Sequence, residues 1–596
     1  MGPPVPHDTE AKHGVRAGPT DRAAVNWLVL GLALAVLTLL FTALLVVSWK
    51  RWGSVTVDCG VALDRAALVA GGALLYRDTL SAYGPVGAYA IATLFRIFGI
   101  HLNVAYGAGI ALLLAESCLL WYISRRFLTA LESAVGLAGF WMLAFQPGLF
   151  NWILPNTFAA TFAVFFSTAA VALVIADLDR PDTRKLMGAS LCTAAAGLSK
   201  VEFGAAAFGT MMAAAWLLRG DGRGRRRATA ALVFPGLLLS AGVALTFASL
   251  VPWRQLVFDN VYRIRTFEIA EPAYLAFVLP SHAPIIQRAL LQYGLVFPVA
   301  AALVAAGLHL AAAGGSRRSL GAVVVAGVLL VPFLSGHQLL SDFLPVGKPF
   351  VWAPMGWALV AAVALASNRR AGRVESRALF VVAIFNVLVA LRWVLRVNWP
   401  AYYGFFAPFL VIFLVRVIVS LVAPRRAPIA VPLVVAAAVL SGAVSISRIY
   451  QDYSYVLEYP RGSIRTTPRA GEPLKEAIDH IRATTSPDDY VAVIPEERLI
   501  NFLAERKSPT RDPAVWPGWL ATTDDELGFI AELEQKDTDV VVLSQRRYPE
   551  FGLGAPATYN PRLMQYIMQE YRKIWTSSGG EYAVYRRDPS AARPDP

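Results

Sequence analysis

The chain has 596 residues, of which 56% are hydrophobic and only 16% charged, and its mean hydropathy is +0.51. That balance excludes a soluble globular protein, because apolar runs recur at the length of a membrane span. The net charge of +13 does not call for nucleic acid, since most clustered arginines sit in short segments between apolar runs, the pattern that sets orientation in a bilayer.

Residues 1–24 are polar and rich in Gly and Pro, and read as a disordered cytoplasmic tail. The first apolar run, Val25 to Ser48, is too long for a signal-peptide core and reads as a retained signal-anchor helix leading outward. An external loop, 49–102, follows. It carries Asp58 and the string Tyr76-Arg77-Asp78. Between them, Ala62 to Gly71 has apolar residues at helical spacing, with Asp64 and Arg65 on a polar side. The spacing predicts a short helix along the membrane surface. A carboxylate at the lipid–water boundary is costly to place and suggests chemistry on a lipid-linked substrate; the competing reading is an ordinary polar loop. Val86 to Ile100 is apolar but short for a crossing.

Spans follow at 103–123, 134–150 and 157–176, with Arg125, Arg126, Arg180, Arg184 and Lys185 at every second turn. Leu186–Ser199 and Phe203–Leu218 are too short to cross: about 21–24 Å of helix against roughly 30 Å of hydrocarbon. They predict a hairpin whose tip, Lys200-Val201-Glu202, stays near the outer boundary. An ionisable pair at that depth reads as functional, unless the two merely satisfy each other or interfacial water. The string GDGRGRRR after it lacks the strand and the Lys-Ser/Thr of a phosphate loop, and reads as a cytoplasmic anchor. Further spans are expected at 229–250, 289–312, 319–334, 349–366, 378–395, 402–422 and 428–447. That makes about thirteen crossings with the Arg clusters on one side. The transmembrane body is therefore 25–448, and 449–596 forms a small soluble domain outside the cytoplasm. There, helices at 473–484, 496–505 and 561–572 alternate with strands at 490–494, 540–543 and 582–586, which predicts an α/β layer.

Seven histidines are dispersed without zinc spacing, and no GxSxG, Walker lysine or Cys pair is present. A membrane enzyme with this inventory works through a carboxylate base and basic residues. The outward-facing candidates are Asp58, Asp78, Lys200, Glu202, Lys348, Arg396, Tyr402 and Tyr403, with the arginines of 254–265 as further cations.

Several strings carry a resemblance. They are Asp58 in the first external loop, Gly72-Ala73-Leu74-Leu75-Tyr76-Arg77-Asp78, Tyr83-Gly84-Pro85, Phe98-Gly99 and Gly197-Leu198-Ser199-Lys200. The soluble tail adds Ile494-Pro495-Glu496-Glu497, Asn501-Phe502-Leu503 and the segment 506–511. With these the chain resembles the polytopic glycosyltransferases of the GT-C class, near the protein mannosyltransferases and aminoarabinose transferases. The resemblance implies inverting transfer of a sugar from a polyprenyl-phosphate donor to a glycan, lipid or protein acceptor on the outer face of the cytoplasmic membrane. It implies Asp58 as the base. Cys59 stands where many relatives carry a second acidic residue, which leaves a helper role to Asp78 or to nothing. Lys200, Arg77, Lys348 and Arg396 are candidates for the donor phosphate, and Glu202, Tyr83, Tyr402 and Tyr403 for the substrate cavity. A positioned carboxylate can take the proton of a sugar hydroxyl, and nearby cations can neutralise a departing phosphate. The scheme requires no cofactor, although an acidic first loop could hold a divalent metal weakly. Competing classes are a transporter or flippase of lipid-linked saccharides, which predicts two similar halves that are not seen, and a polymerase or ligase, which predicts a large late external loop. A non-catalytic scaffold fits the outward-facing charges less well.

Overall fold

The computed structural model describes residues 19–56, 58–145, 151–218, 222–259, 374–395, 412, 446–520, 522–547 and 555–590. Spans expected at 289–312, 319–334, 349–366, 402–422 and 428–447 lie wholly or almost wholly outside these residues.

Among the described residues four helices are long and apolar enough to cross a membrane: α1 (Pro19–Ser48, its apolar part from Leu30), α4 (Leu102–Ser124), α6 (Phe158–Asp179) and α9 (Gly222–Leu250). α4 and α6 are the more enclosed, whereas α1 and α9 leave most of their apolar surface open, Leu32, Leu39, Leu238 and Leu245 among it. A lipid environment covers such a surface, and a helix satisfies its own backbone there. Around them pack α5 (Ala130–Ala144), α7 (Thr183–Gly197), α8 (Val201–Leu217) and α11 (Val374–Leu395). The helix starts carry local signals. Thr129 and Glu132 form a reciprocal capping box on α5, and Asp182 accepts the Arg184 N–H at 2.9 Å to begin α7. Arg126 pairs with Asp179, and Lys185 donates to the carbonyls of Ala176 and Arg180 at 3.0 and 2.8 Å. The basic ends of α4, α6 and α7 thus lie together at one end of the bundle.

The predicted hairpin forms. α7 and α8 meet closely at Gly197 and Gly204, where a Cβ on Gly204 would strike the Gly197 backbone. At the opposite end of the bundle lie α2 (Cys59–Ala70), α3 (Pro85–Phe98) and α10 (Trp253–Val257). The helix expected at 62–71 forms as α2, but its surroundings differ from those expected. It begins at Cys59, and its supposed polar side is buried, Asp64 being 6% and Arg65 8% exposed. The cover is the C-terminal domain: Leu499 presses on Gly60, where any Cβ would collide with its backbone.

That domain opens with a hairpin, β1 (Tyr455–Tyr459) and β2 (Gly462–Thr466), followed by α12 (Pro468–Thr484), β3 (Val491–Ile494) and α13 (Leu499–Ala504). Then come α14 (Thr523–Gln535), β4 (Val540–Ser544), α15 (Pro556–Tyr559), α16 (Pro561–Glu570), β5 (Tyr571–Thr576) and β6 (Tyr582–Arg587). The sheet order is β3-β4-β6-β5, with β3 and β4 parallel and the other pairs antiparallel. The helix expected to reach 572 stops at Glu570. Residues 571–576 are instead an edge strand, which hides its strand pattern because most of it stays exposed. The first hairpin and α14 are further departures from the expected layer. The hairpin fastens the domain to the bundle. Lys50 Nζ donates to Ser463 Oγ at 2.6 Å, Arg465 N–H to the Lys50 carbonyl at 2.6 Å, and Leu102 N–H to the Arg461 carbonyl at 2.7 Å.

Candidate active site

Asp58 sits at the start of α2 with φ +28°, a backbone region that non-glycine residues rarely adopt. It occupies the N-cap position but its side chain makes no capping bond. The carboxylate instead takes a hydrogen bond from Asn156. Asn156 is held in a rigid turn: the side-chain oxygen of Asn151 accepts the N–H groups of Ile153 and Leu154 at 3.0 and 2.6 Å, and Thr157 caps α6. Burial pushes the Asp58 carboxyl above its ordinary range, while Arg546, the Asn156 bond, Arg65 and Lys200 pull it back. Three cations from three separate elements therefore converge on one half-buried carboxylate.

Each cation is positioned by its own element. Arg65, about two turns further along α2, donates Nε–H to the Leu80 carbonyl at 2.8 Å. Lys200, 4% exposed at the hairpin tip, pairs with Glu202 at 3.2 Å and lies 4.9 Å from the centre of the Tyr83 ring. The string Tyr83-Gly84-Pro85 fits this tip by backbone contact. Gly84 and Val86 donate N–H groups to the carbonyls of Ser199 and Leu198, at 3.2 and 3.3 Å, and a Cβ at Gly84 would overlap the Leu198 carbonyl. The predicted residues Asp58, Lys200, Glu202 and Tyr83 are thus brought together.

The third cation comes from the C-terminal domain. β3 and β4 are parallel, so the segments following them leave the sheet side by side, Ile494 being paired with Leu543. The carboxyl ends of parallel strands are where α/β layers place functional groups. Here they carry Glu496 and Glu497, 1% and 3% exposed, and Arg546. Arg546 pairs with Glu496 and donates to the Thr56 carbonyl at 2.8 Å, two residues before Asp58. Trp516 donates its indole N–H to Glu496, and Ser544 its hydroxyl to Glu497 at 2.6 Å. Burial raises both glutamates above the ordinary range. Asn156 and Arg546 are not among the candidates read from the sequence, Arg65 entered only as part of a polar helix side, and Glu496 and Glu497 entered only within a longer string. The available signal was an acidic pair and a lone arginine just past two buried apolar runs.

Asp78 and Arg77 do not join this group. Asp78 is bound to Arg77 at 2.8 Å and accepts the Leu74 N–H at 2.7 Å, and Arg77 holds its carboxyl below the usual range. The helper carboxylate and one donor-phosphate arginine expected from the sequence are therefore an exposed local pair. Lys348, Arg396, Tyr402 and Tyr403 lie outside the described residues. Burial pushes the Cys59 thiol up to about 12, so beside Asp58 it is a packing group without thiolate character. Among the described residues no group of three or more His, Cys, Asp or Glu could hold a metal ion.

No protein-family profile matches this sequence, and no curated protein does. Solved structures do resemble it. An Archaeoglobus fulgidus oligosaccharyltransferase crystallised with Zn and sulfate matches at TM-score 0.48 and 13% identity, over 92% of this chain and 73% of that one. ArnT from Cupriavidus metallidurans bound to undecaprenyl phosphate matches at TM-score 0.45 and 15% identity, over 96% of this chain and 100% of that one. The archaeal oligosaccharyltransferase AglB from A. fulgidus, in complex with an inhibitory peptide and a dolichol-phosphate, matches at 0.47 and 11%, over 94% and 75%.

Proposed function

We propose that this multi-pass membrane protein is an inverting GT-C-type glycosyltransferase with Asp58 as its general base. The observation that carries the reading is the convergence of Arg546, Arg65 and Lys200 on one carboxylate at the junction of bundle and C-terminal domain. A base must be ionised to accept a proton, and the cations favour that form. The acceptor hydroxyl oxygen attacks the anomeric carbon, its proton passes to Asp58, and the carbon–oxygen bond to the lipid phosphate breaks with its electron pair going to the phosphate. Lys200 neutralises the charge that develops there. One displacement without a covalent intermediate inverts the centre. The donor is a polyprenyl-phosphate sugar and the acceptor an envelope glycan, lipid or protein.

The test compares envelope glycans and polyprenyl-phosphate sugars by mass spectrometry in cells with the gene, without it, and carrying Asp58→Asn. The expected result is a missing sugar, with its lipid-linked donor accumulating, both without the gene and in the Asp58→Asn cells. Normal transfer in the Asp58→Asn cells overturns the mechanism and favours transport of a lipid-linked saccharide. The proposed orientation puts the basic turns, Arg425 among them, on the cytoplasmic side of the inner membrane, and residues beyond about 450 outside. Labelling of a cysteine placed beside Arg425 by an impermeant reagent in intact cells contradicts it.

A further inference from the structure

Resting on Asp58 as the base, we propose that the C-terminal domain completes the reaction centre: Arg546 is a positioning residue that keeps Asp58 in its proton-accepting form, and Glu496 governs how much of that cation Asp58 receives. The geometry is a bridge. One guanidinium is ion-paired to Glu496 on the domain and hydrogen-bonded to the Thr56 carbonyl in the segment that delivers Asp58. Glu496 is fixed from behind by the Trp516 indole N–H, so it cannot simply swing away. Arg546 therefore ties the backbone on which Asp58 is held to a buried acid 1% exposed.

A single cation between two carboxylates divides its influence between them. The charged and titratable groups around Asp58 come from every packed element. Arg65 and Cys59 lie on α2, and Lys200 at the hairpin tip is itself held by Glu202 and Tyr83. From the C-terminal domain come Arg546, Glu496 and, behind it, Glu497, with Tyr559 facing both glutamates and Arg546, and Tyr582 facing Glu497 and Arg546. Arg546 is the largest of the attractive influences on Asp58, and Asp58 in turn acts on Glu496. Removing the cation moves protonation of Asp58 to higher pH. Removing the Glu496 charge frees the cation for Asp58 and moves it to lower pH. A residue that merely props the fold gives neither signature.

The experiment needs no substrate. Purified full-length protein in nanodiscs is treated with dicyclohexylcarbodiimide, which modifies protonated carboxyls in apolar surroundings, over a series of pH values. Modification at Asp58 is read by peptide mass spectrometry, with Asp58→Asn as the blank. Arg546→Gln should raise labelling at mildly acidic pH by roughly threefold to tenfold and shift the midpoint upward. Glu496→Gln should shift it downward, and Arg546→Lys should restore the wild-type midpoint. Unchanged midpoints in Arg546→Gln and Glu496→Gln, or shifts in the same direction, overturn the proposal. If Arg546→Gln fails to fold, Glu496→Gln and Arg546→Lys decide alone: a downward shift in the first with none in the second supports it, and any other pairing overturns it. Because labelling is independent of transfer, this result and that of the glycan assay can fail separately.

Discussion

Asp58 and Asp78 lie between the same two long apolar helices and share one charge type, yet their surroundings differ in nearly every physical respect. Asp58 lies under a second domain, with cations arriving from a helix, a hairpin tip and a strand end. Asp78 lies in a tight turn, paired with the residue beside it. The pull of burial on Asp58 is upward and is opposed by several distant partners, whereas Asp78 is drawn downward by Arg77. A carboxylate at a loop tip acquires reactivity from what folds over it. An exposed ion pair between chain neighbours contributes little to stability.

The contrast can be broken from either side. The largest effect is expected at Asp58, where Asn keeps the size and removes proton acceptance: transfer should fall by about 10²–10⁴-fold with the lipid donor still bound. Lys200→Ala comes next, with a loss of about 10²-fold if the ammonium faces the departing phosphate, measured as donor turnover in membranes with the protein still inserted. Full activity there leaves Lys200 to its ion pair with Glu202. Gly84→Ala tests the seat of the hairpin tip. The added methyl meets the Leu198 carbonyl, and overpacking of this kind costs about 1–3 kcal/mol, read as a lowered unfolding temperature in detergent. An unchanged temperature shows that the tip can move aside. Asp78→Asn should matter least, within about twofold in transfer and 0.5 kcal/mol in stability. A dead Asp78→Asn enzyme beside an active Asp58→Asn enzyme would exchange their roles.

The architecture was legible where a single element speaks for itself. The long apolar helices, the short hairpin and three of the four strands of the main sheet follow from run length and apolar content, and the Arg-bearing turns follow from their charges. Lys200 was legible for the same reason, since an ionisable residue between two short apolar helices is conspicuous in a chain with few charges. The site's other half was not. Arg546 meets the Thr56 carbonyl 490 positions away in sequence, and no periodicity encodes such a pairing. α2 misled because Asp64 and Arg65 look like a water-facing side. They are buried, and the neighbouring charges of Arg498 and Arg461 draw Asp64 down while burial holds it at about 6.

The clasp between Lys50 and Ser463 spans 413 positions of chain, and that separation is also a waiting time. At ribosomal rates of about 5–20 residues per second, roughly 20–80 s pass between the emergence of the first loop and that of its cover. Throughout that interval α2 has Asp58 and its internal charges but no roof, no Arg546 and no Glu496. Under the proposed mechanism the newborn protein lacks part of its reaction centre until the C-terminal domain has closed over a segment made at the beginning. On that mechanism, competence comes only with the closure of the C-terminal domain.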